Sequence, residues 1–262
     1  MKILDFRAAK KSGKKISMIT AYDYTMARIA AASPVDSLLV GDSGAMVMHG
    51  FDSTLSATPE IMALHTAAVA RGAGGKFIVA DMPFLSFRSG LPAAMDCVAK
   101  LMRAGAHAVK LEGVYGHEDI IKAIVGADVP VMGHIGLTPQ SIHRLGGYRV
   151  QGREAAAAKD LLAQAKLLEK LGCFAIVVEC IPSALAAKIA RALKIPVIGI
   201  GSGPHTDGQV LVLQDMLGLY ADIKPKFVKR YAEGADIFRR ALEDYDREVK
   251  EGKFPDKETT CP

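Results

Sequence analysis

The chain has 262 residues, enough to bury a large core within one α/β barrel, although length alone permits two domains. Half of the residues are apolar, 23% are charged, aromatics make up 6% and tryptophan is absent, a balance that argues against disorder over most of the length and fits an ordinary globular protein. The formal charge is +5, from 33 basic and 28 acidic residues, but the basic residues are dispersed, and the densest group (Arg7, Lys10, Lys11, Lys14, Lys15) lacks the aromatic interleaving of a nucleic-acid footprint. No nucleic-acid partner is expected.

From the N-terminus, Met1 to Lys15 alternates charge with single apolar residues and has neither the unbroken apolar segment nor the small-residue cleavage site of a secretory signal. No apolar run reaches the roughly 18 residues needed to cross a bilayer, so a cytoplasmic protein with no membrane partner is expected. Short β-branched runs then recur, each followed by a Gly, Asp, Ser or Pro signal and an alanine- and leucine-rich helical pattern. The runs are Ile16 to Asp23, Ser37 to Ser43, Lys76 to Pro83, Ala108 to Gly113, Val129 to Gly136, Phe174 to Cys180 and Pro196 to Gly203, with a weaker eighth at Val210 to Gln214. Between them, Thr58 to Arg71 predicts a helix with proline at its first position, where the missing N–H costs nothing. Leu91 to Arg103 and Ala155 to Leu171 predict helices ending near Gly105 and Gly172, and Pro182 to Leu193 follows the same plan.

Near-continuous apolar strands such as Ala175 to Val178 suit a parallel sheet covered by helices, and seven or eight such units favour closure into a (β/α)8 TIM barrel of the α/β class. No linker or composition break divides the chain. The pattern therefore predicts one domain over residues 1–262, with a C-terminal helical extension at Phe227 to Lys253 and a frayed tail at Lys257 to Pro262. Cys97, Cys173, Cys180 and Cys261 are far apart without CxxC pairing, which predicts buried or incidental thiols rather than a zinc site or disulfide framework.

The acids carry the functional signal. Asp42, Asp81, Glu112 and Glu179 each end an apolar run, the region that forms the catalytic face of a parallel barrel. Convergent carboxylates with room for water and substrate oxygens make a Mg²⁺ site; taken singly, each acid serves equally well as a helix cap or a salt-bridge partner. Lys110 lies two residues before Glu112 in the same strand, so both side chains share one side. Lys110 is then either a counter-charge for a substrate carboxylate or half of a buried ion pair. His134 ends the fifth run, as a donor to a substrate oxygen or as a structural histidine. Gly199 to Gly203 offers backbone N–H groups to an anion or serves close packing at a tight turn; without a following GK[ST] it is not a P-loop. A loop from Gly136 to Gly152 carries Gln140, His143 and Arg144 over the expected mouth.

The strings VGDS (40–43), HGFDST (49–54), ADMPF (80–84), VKLEG (109–113), GHIGLTPQS (133–141), GGYRVQGR (146–153), VVECIP (177–182) and VIGIGSG…TDGQ (197–209) together resemble the ketopantoate hydroxymethyltransferase family, in that family's order and across roughly residues 16 to 230. The resemblance implies a barrel of the phosphoenolpyruvate/pyruvate group. It also implies one Mg²⁺ per subunit on Asp42 and Asp81, with Glu112 in the metal shell, and an oxo acid held by Ser43 and Lys110 together with Asp42, Asp81 and the metal. Glu179 would be the proton-accepting base. The implied reaction adds a hydroxymethyl group from 5,10-methylenetetrahydrofolate to 3-methyl-2-oxobutanoate through a metal-stabilised enolate, in a cytoplasmic homo-oligomer that the family makes a decamer. One departure stands out: the family commonly continues GDS with Leu-Gly-Met, whereas this chain has Gly44-Ala45-Met46. Two other readings share these residues, a metal-dependent 2-oxo acid aldolase or lyase working without folate, and a catalytically silent barrel in an assembly.

Overall fold

The β-branched runs become eight strands: β1 (Ile16–Thr20), β2 (Ser37–Val40), β3 (Phe77–Asp81), β4 (Ala108–Glu112), β5 (Val131–Gly136), β6 (Ala175–Glu179), β7 (Val197–Ile200) and β8 (Gly208–Leu211). Each pairs in parallel with the next, and β8 returns to β1, so the barrel closes in chain order as the alternating pattern predicts. The computed structural model describes residues 1–220 and 225–261. The eighth strand is a correction: it begins at Gly208 and ends at Leu211, while Leu213 and Gln214 belong to a short helix, Leu213–Met216.

The predicted helices form as Pro59–Gly72, Leu91–Arg103, Ala155–Lys170 and Ser183–Ala192. Thr58 caps the first, its hydroxyl accepting from Ile61 N–H with Pro59 next in line. Two further helices, Tyr24–Ala32 and Glu118–Gly126, add to the covering around the strands, and a third, Ile3–Ser12, precedes β1. The chain divides into two compact units, Met1–Val212, which holds the entire barrel, and the segment from Leu213 onward. In the second unit the expected extension is a helix over Gly234–Lys250, shorter than the predicted 227–253. Of the expected frayed tail, residues 257–260 turn about Asp256, whose Oδ1 accepts from the N–H groups of Glu258 and Thr259, and Pro262 lies outside the described residues. Among the described residues no helix is long and apolar enough to cross a membrane.

Period-two alternation decides what fills the barrel. Phe77 and Val79 of β3, Ala108 of β4, Met132 of β5, Ala175 and Val177 of β6, and Ile198 of β7 form one buried apolar cluster. Phe6, from the N-terminal helix, enters the same cluster and is fully buried, with ring centroids 5.2 Å from Phe77 and 5.1 Å from Phe174. Lys10 on that helix anchors it, its ammonium 2.6 Å from Asp207 Oδ2. The opening stretch thus plugs the barrel rather than trailing from it, with Phe6 and Ala9 buried in the cluster while Leu4 stays exposed.

Truncating Phe6 to alanine leaves a cavity at this plug and is expected to lower the unfolding free energy by roughly 3–5 kcal/mol, read from urea titrations followed by far-UV circular dichroism.

Candidate active site

The inward rows that start apolar end polar. Phe77 and Val79 are followed at the same spacing by Asp81, Ala108 by Lys110 and Glu112, Met132 by His134, and Ala175 and Val177 by Glu179. Strand register then sets the pairs. Asp81 lies opposite Lys110, and Glu112 opposite His134. Lys110 Nζ is 3.1 Å from Asp81 Oδ1. His134 stands between two carboxylates, Nδ1 at 3.4 Å from Glu112 Oε1 and Nε2 at 3.2 Å from Glu179 Oε2. Asp81, Lys110, Glu112 and His134 are 2%, 4%, 2% and 3% exposed, so these charges interact with little screening by water. Glu179 retains 15% side-chain exposure and faces the open end.

Asp42 joins this cluster from beyond β2. Its backbone N–H donates to Asp81 Oδ2 at 3.1 Å, and its own Oδ2 accepts from the Gln140 side-chain amide at 2.7 Å. The Gln140 backbone N–H meanwhile donates to Glu112 Oε2 at 2.9 Å, so one loop residue ties two acids from different strands. Its side-chain amide also donates to the Met82 carbonyl at 3.0 Å. Sequence reasoning placed Gln140 only in a loop over the mouth; its neighbours at the rim could not be read from spacing.

Burial raises the Asp42 carboxyl well above its ordinary range, with the charges of Asp81 and Glu112 adding to the effect. Burial also raises Asp81, against the opposing pull of Lys110. For Lys110, burial works against the charged form, but Asp81, Glu112 and Asp42 outweigh it and hold the ammonium. His134 follows the same logic: burial and Lys110 disfavour its proton, yet Glu112 and Glu179 raise it to about 9. The two carboxylates thus favour the protonated form of the imidazole.

Ser43 sits beside this group, its hydroxyl 2.8 Å from that of the buried Tyr22. The Gly44 departure has a local consequence, because a Cβ at Gly44 would stand 2.8 Å from the Tyr22 ring. The aromatic ring occupies the space into which a side chain at 44 would grow. Glu179 ends β6 at a strained turn: Cys180 adopts φ +46°, held by its N–H to the Ile200 carbonyl and its carbonyl to the Gln151 N–H, both 2.9 Å. Gly199 and Gly203 serve close packing, since a Cβ at either would strike Thr206 or Ser183.

Arg88 and His117 were not singled out by the sequence. Arg88 donates to the Glu112 carbonyl at 3.1 Å. His117 is buried against Phe87, ring centroids 5.0 Å apart, and neither ring nitrogen has a hydrogen-bond partner. Burial, aided by the Arg88 charge, pushes its pKa down to about 4.

Among the described residues no group of three or more His, Cys, Asp or Glu side chains is arranged to hold a metal ion. Glu112 has both oxygens engaged, by His134 and by the Gln140 N–H. Asp42 and Asp81 nonetheless fit a hard divalent cation: they are buried, they repel one another, and Asp81 Oδ1 accepts no hydrogen bond even at ion-pair distance from Lys110. Two such carboxylates, completed by waters and substrate oxygens, are a Mg²⁺-type donor set.

A family model described as ketopantoate hydroxymethyltransferase matches residues 1–257. A 3-methyl-2-oxobutanoate hydroxymethyltransferase of Coxiella burnetii is 54% identical over 98% of this chain and 97% of its own. One of the same name from Bdellovibrio bacteriovorus is 55% identical over 97% and 96%. Among solved structures, phosphonopyruvate hydrolase superposes with TM-score 0.64 at 12% identity, covering 100% of this chain and 92% of that one. A 2,3-dimethylmalate lyase, described as a PEP mutase/isocitrate lyase superfamily member, gives 0.63 at 17%, covering 98% and 91%. At these identities the structural likeness speaks for the barrel alone.

Two outcomes are expected from this geometry. Gly44→Leu forces the Tyr22 ring aside and lowers the unfolding free energy by roughly 1–3 kcal/mol, measured by urea denaturation. His117 is neutral when folded but takes a proton below about pH 6.5 when unfolded, so its contribution is fully present above that pH and is lost as pH falls toward 4. The loss is no more than about 3 kcal/mol, and a His117→Phe variant should show a flatter decline of stability between pH 6.5 and 4 than the parent chain.

Proposed function

The chain belongs to the ketopantoate hydroxymethyltransferase family, and on that premise we propose that it transfers a hydroxymethyl group from 5,10-methylenetetrahydrofolate to 3-methyl-2-oxobutanoate, giving 2-dehydropantoate and tetrahydrofolate in pantothenate biosynthesis. The observation that carries the reading is the buried cluster of Asp42, Asp81, Lys110, Glu112 and His134, with the more open Glu179 at its edge. Such a site offers fixed cations to a small anion and a carboxylate base at its rim.

In this reading Lys110 balances the carboxylate of the oxo acid while remaining paired with Asp81, and the Ser43 hydroxyl donates to a substrate oxygen, steadied by Tyr22. Asp42 and Asp81 would hold the divalent cation, with Glu112 behind them, and the cation would draw electron density from the substrate oxygens and so acidify the C3–H bond. Glu179 accepts the C3 proton, and its side chain is oriented for this by the His134 imidazolium at 3.2 Å. The positive charges of Lys110 and His134 stabilise the negative charge that develops on the substrate. The C3 electron pair then forms the new carbon–carbon bond to the one-carbon unit, both of whose bonds to folate nitrogens break in turn; water supplies the hydroxyl group, and its remaining proton and the one taken from C3 return to the two nitrogens. A cytoplasmic homo-oligomer, decameric by family resemblance, belongs to the same proposal.

Glu179→Gln keeps the shape of the base and removes its proton-accepting capacity. It is expected to slow C3–H exchange of 3-methyl-2-oxobutanoate in D₂O by about 10²–10⁴-fold, followed by proton NMR with Mg²⁺ present. Undiminished exchange would remove Glu179 from the base role. Exchange in the parent chain with no folate-dependent product would instead favour a lyase acting on 2-oxo acids.

A further inference from the structure

The loops after β3, β4 and β5, together with the first half of helix Ala155–Lys170, enclose a cavity of about 630 Å³. That volume falls among pockets that take cofactor-sized ligands, roughly 300–1,000 Å³. Asp42, Asp81, Lys110, His134 and Glu179 do not line it; Gln140 does, and the same residue holds Asp42 and Glu112 on its other side. The cavity and the charge cluster are thus two compartments sharing one wall.

The lining is chemically divided. Arg88 and Arg144 both face the cavity, and burial together with the Arg144 charge depresses the Arg88 guanidinium. Neither arginine is ion-paired with a carboxylate side chain among the described residues; Arg88 spends one N–H on the Glu112 carbonyl. Two guanidiniums that repel each other across a shared space gain most from an anion that bridges them. Elsewhere in the wall, Asp160 accepts from Tyr115 Oη at 2.9 Å and Gln164 Nε2 at 2.7 Å, which leaves its carboxylate further lone pairs for a ligand N–H edge. Phe84 and Leu161 supply apolar surface.

We propose that this cavity seats the one-carbon donor, a reduced folate, and that Arg88 and Arg144 bind the carboxylates of its glutamate tail. The inference rests on the transferase reading and extends it to residues which that reading leaves unassigned. A flat heteroaromatic ring with N–H donors matches Asp160 and the apolar wall, and an anionic tail matches the arginine pair. Seating the donor against Gln140 sets it at the wall of the charge cluster, and transfer requires its one-carbon unit to reach past that side chain into contact with C3 of the oxo acid.

The test compares tetrahydrofolate with tetrahydropteroate, which lacks the glutamate tail, by calorimetric titration into the full chain. In the parent the tail is expected to tighten binding at least tenfold. In Arg88→Ala/Arg144→Ala that advantage disappears, while tetrahydropteroate binding and the KM for 3-methyl-2-oxobutanoate stay at parental values and show that the fold is kept. The KM for methylenetetrahydrofolate rises in step with the lost affinity, and Arg88→Lys/Arg144→Lys restores part of it. A tail advantage that survives the double alanine variant, no tail advantage in the parent, or no binding of either compound overturns the assignment. If the parent exchanges C3–H and forms folate-dependent product while any of those results holds, only the cavity assignment fails. If it does neither but shows the arginine-dependent tail advantage, the folate site stands and the transferase reading fails.

Discussion

Lys110 is the charge on which the barrel mouth depends. Fully surrounded by protein, it faces Asp81 at 3.1 Å and lies within the fields of Glu112 and Asp42. An ammonium taken out of water at that depth is stable only where carboxylates surround it, and those carboxylates in turn tolerate burial only because the ammonium is there. His134 supplies the second positive charge and divides it between Glu112 and Glu179. Asp42 is the member least compensated by these cations, with its carboxyl driven well above the ordinary range. The imbalance marks the place where an added cation would relieve the most repulsion.

This cluster is a direct product of strand alternation. An inward row that reads Phe77, Val79, Asp81 switches from oil to charge over two residues, and β4 makes the same switch earlier along its length, from Ala108 to Lys110. The apolar layer below, closed by Phe6, excludes water and lowers the local dielectric, so that each interaction above it gains strength. Stability and chemistry therefore meet along single strands, the lower residues packing and the upper ones carrying charge.

The strands with continuous β-branched runs were legible in the sequence, and so was the closed α/β architecture. β8 was misplaced because its residues are Gly208, Gln209, Val210 and Leu211, half of them without apolar character. Gly208 is required there for a reason no pattern reveals: a Cβ would stand 2.4 Å from the Ile16 carbonyl of the neighbouring strand. The N-terminal helix went unread because only Phe6 and Ala9 are buried, too few to make an apolar stripe. Within the site, strand-end position pointed to the four acids and register to Lys110 with Glu112, but their division into metal, substrate and base roles came from family resemblance. Gln140, Tyr22 and Arg88 matter through neighbours that are distant in sequence, and spacing carries no trace of such contacts.

The wall between the two compartments is built from the backbone. Gly136 has φ +96° and sits where a Cβ would be 2.3 Å from the Glu179 carbonyl, and the next residue, Leu137, donates its N–H to that carbonyl at 2.8 Å. The start of the loop after β5 is thereby fixed to the end of β6, beside the proposed base. Four residues on, Gln140 spends its backbone N–H on Glu112 and its side-chain amide on Asp42 and Met82. The loop is consequently held at three points by groups belonging to the charge cluster, and its outer surface forms part of the cavity that Arg88 and Arg144 line. The two compartments thus share Gln140 as a common structural element, tied to Asp42 and Glu112 on one side and lining the cavity on the other.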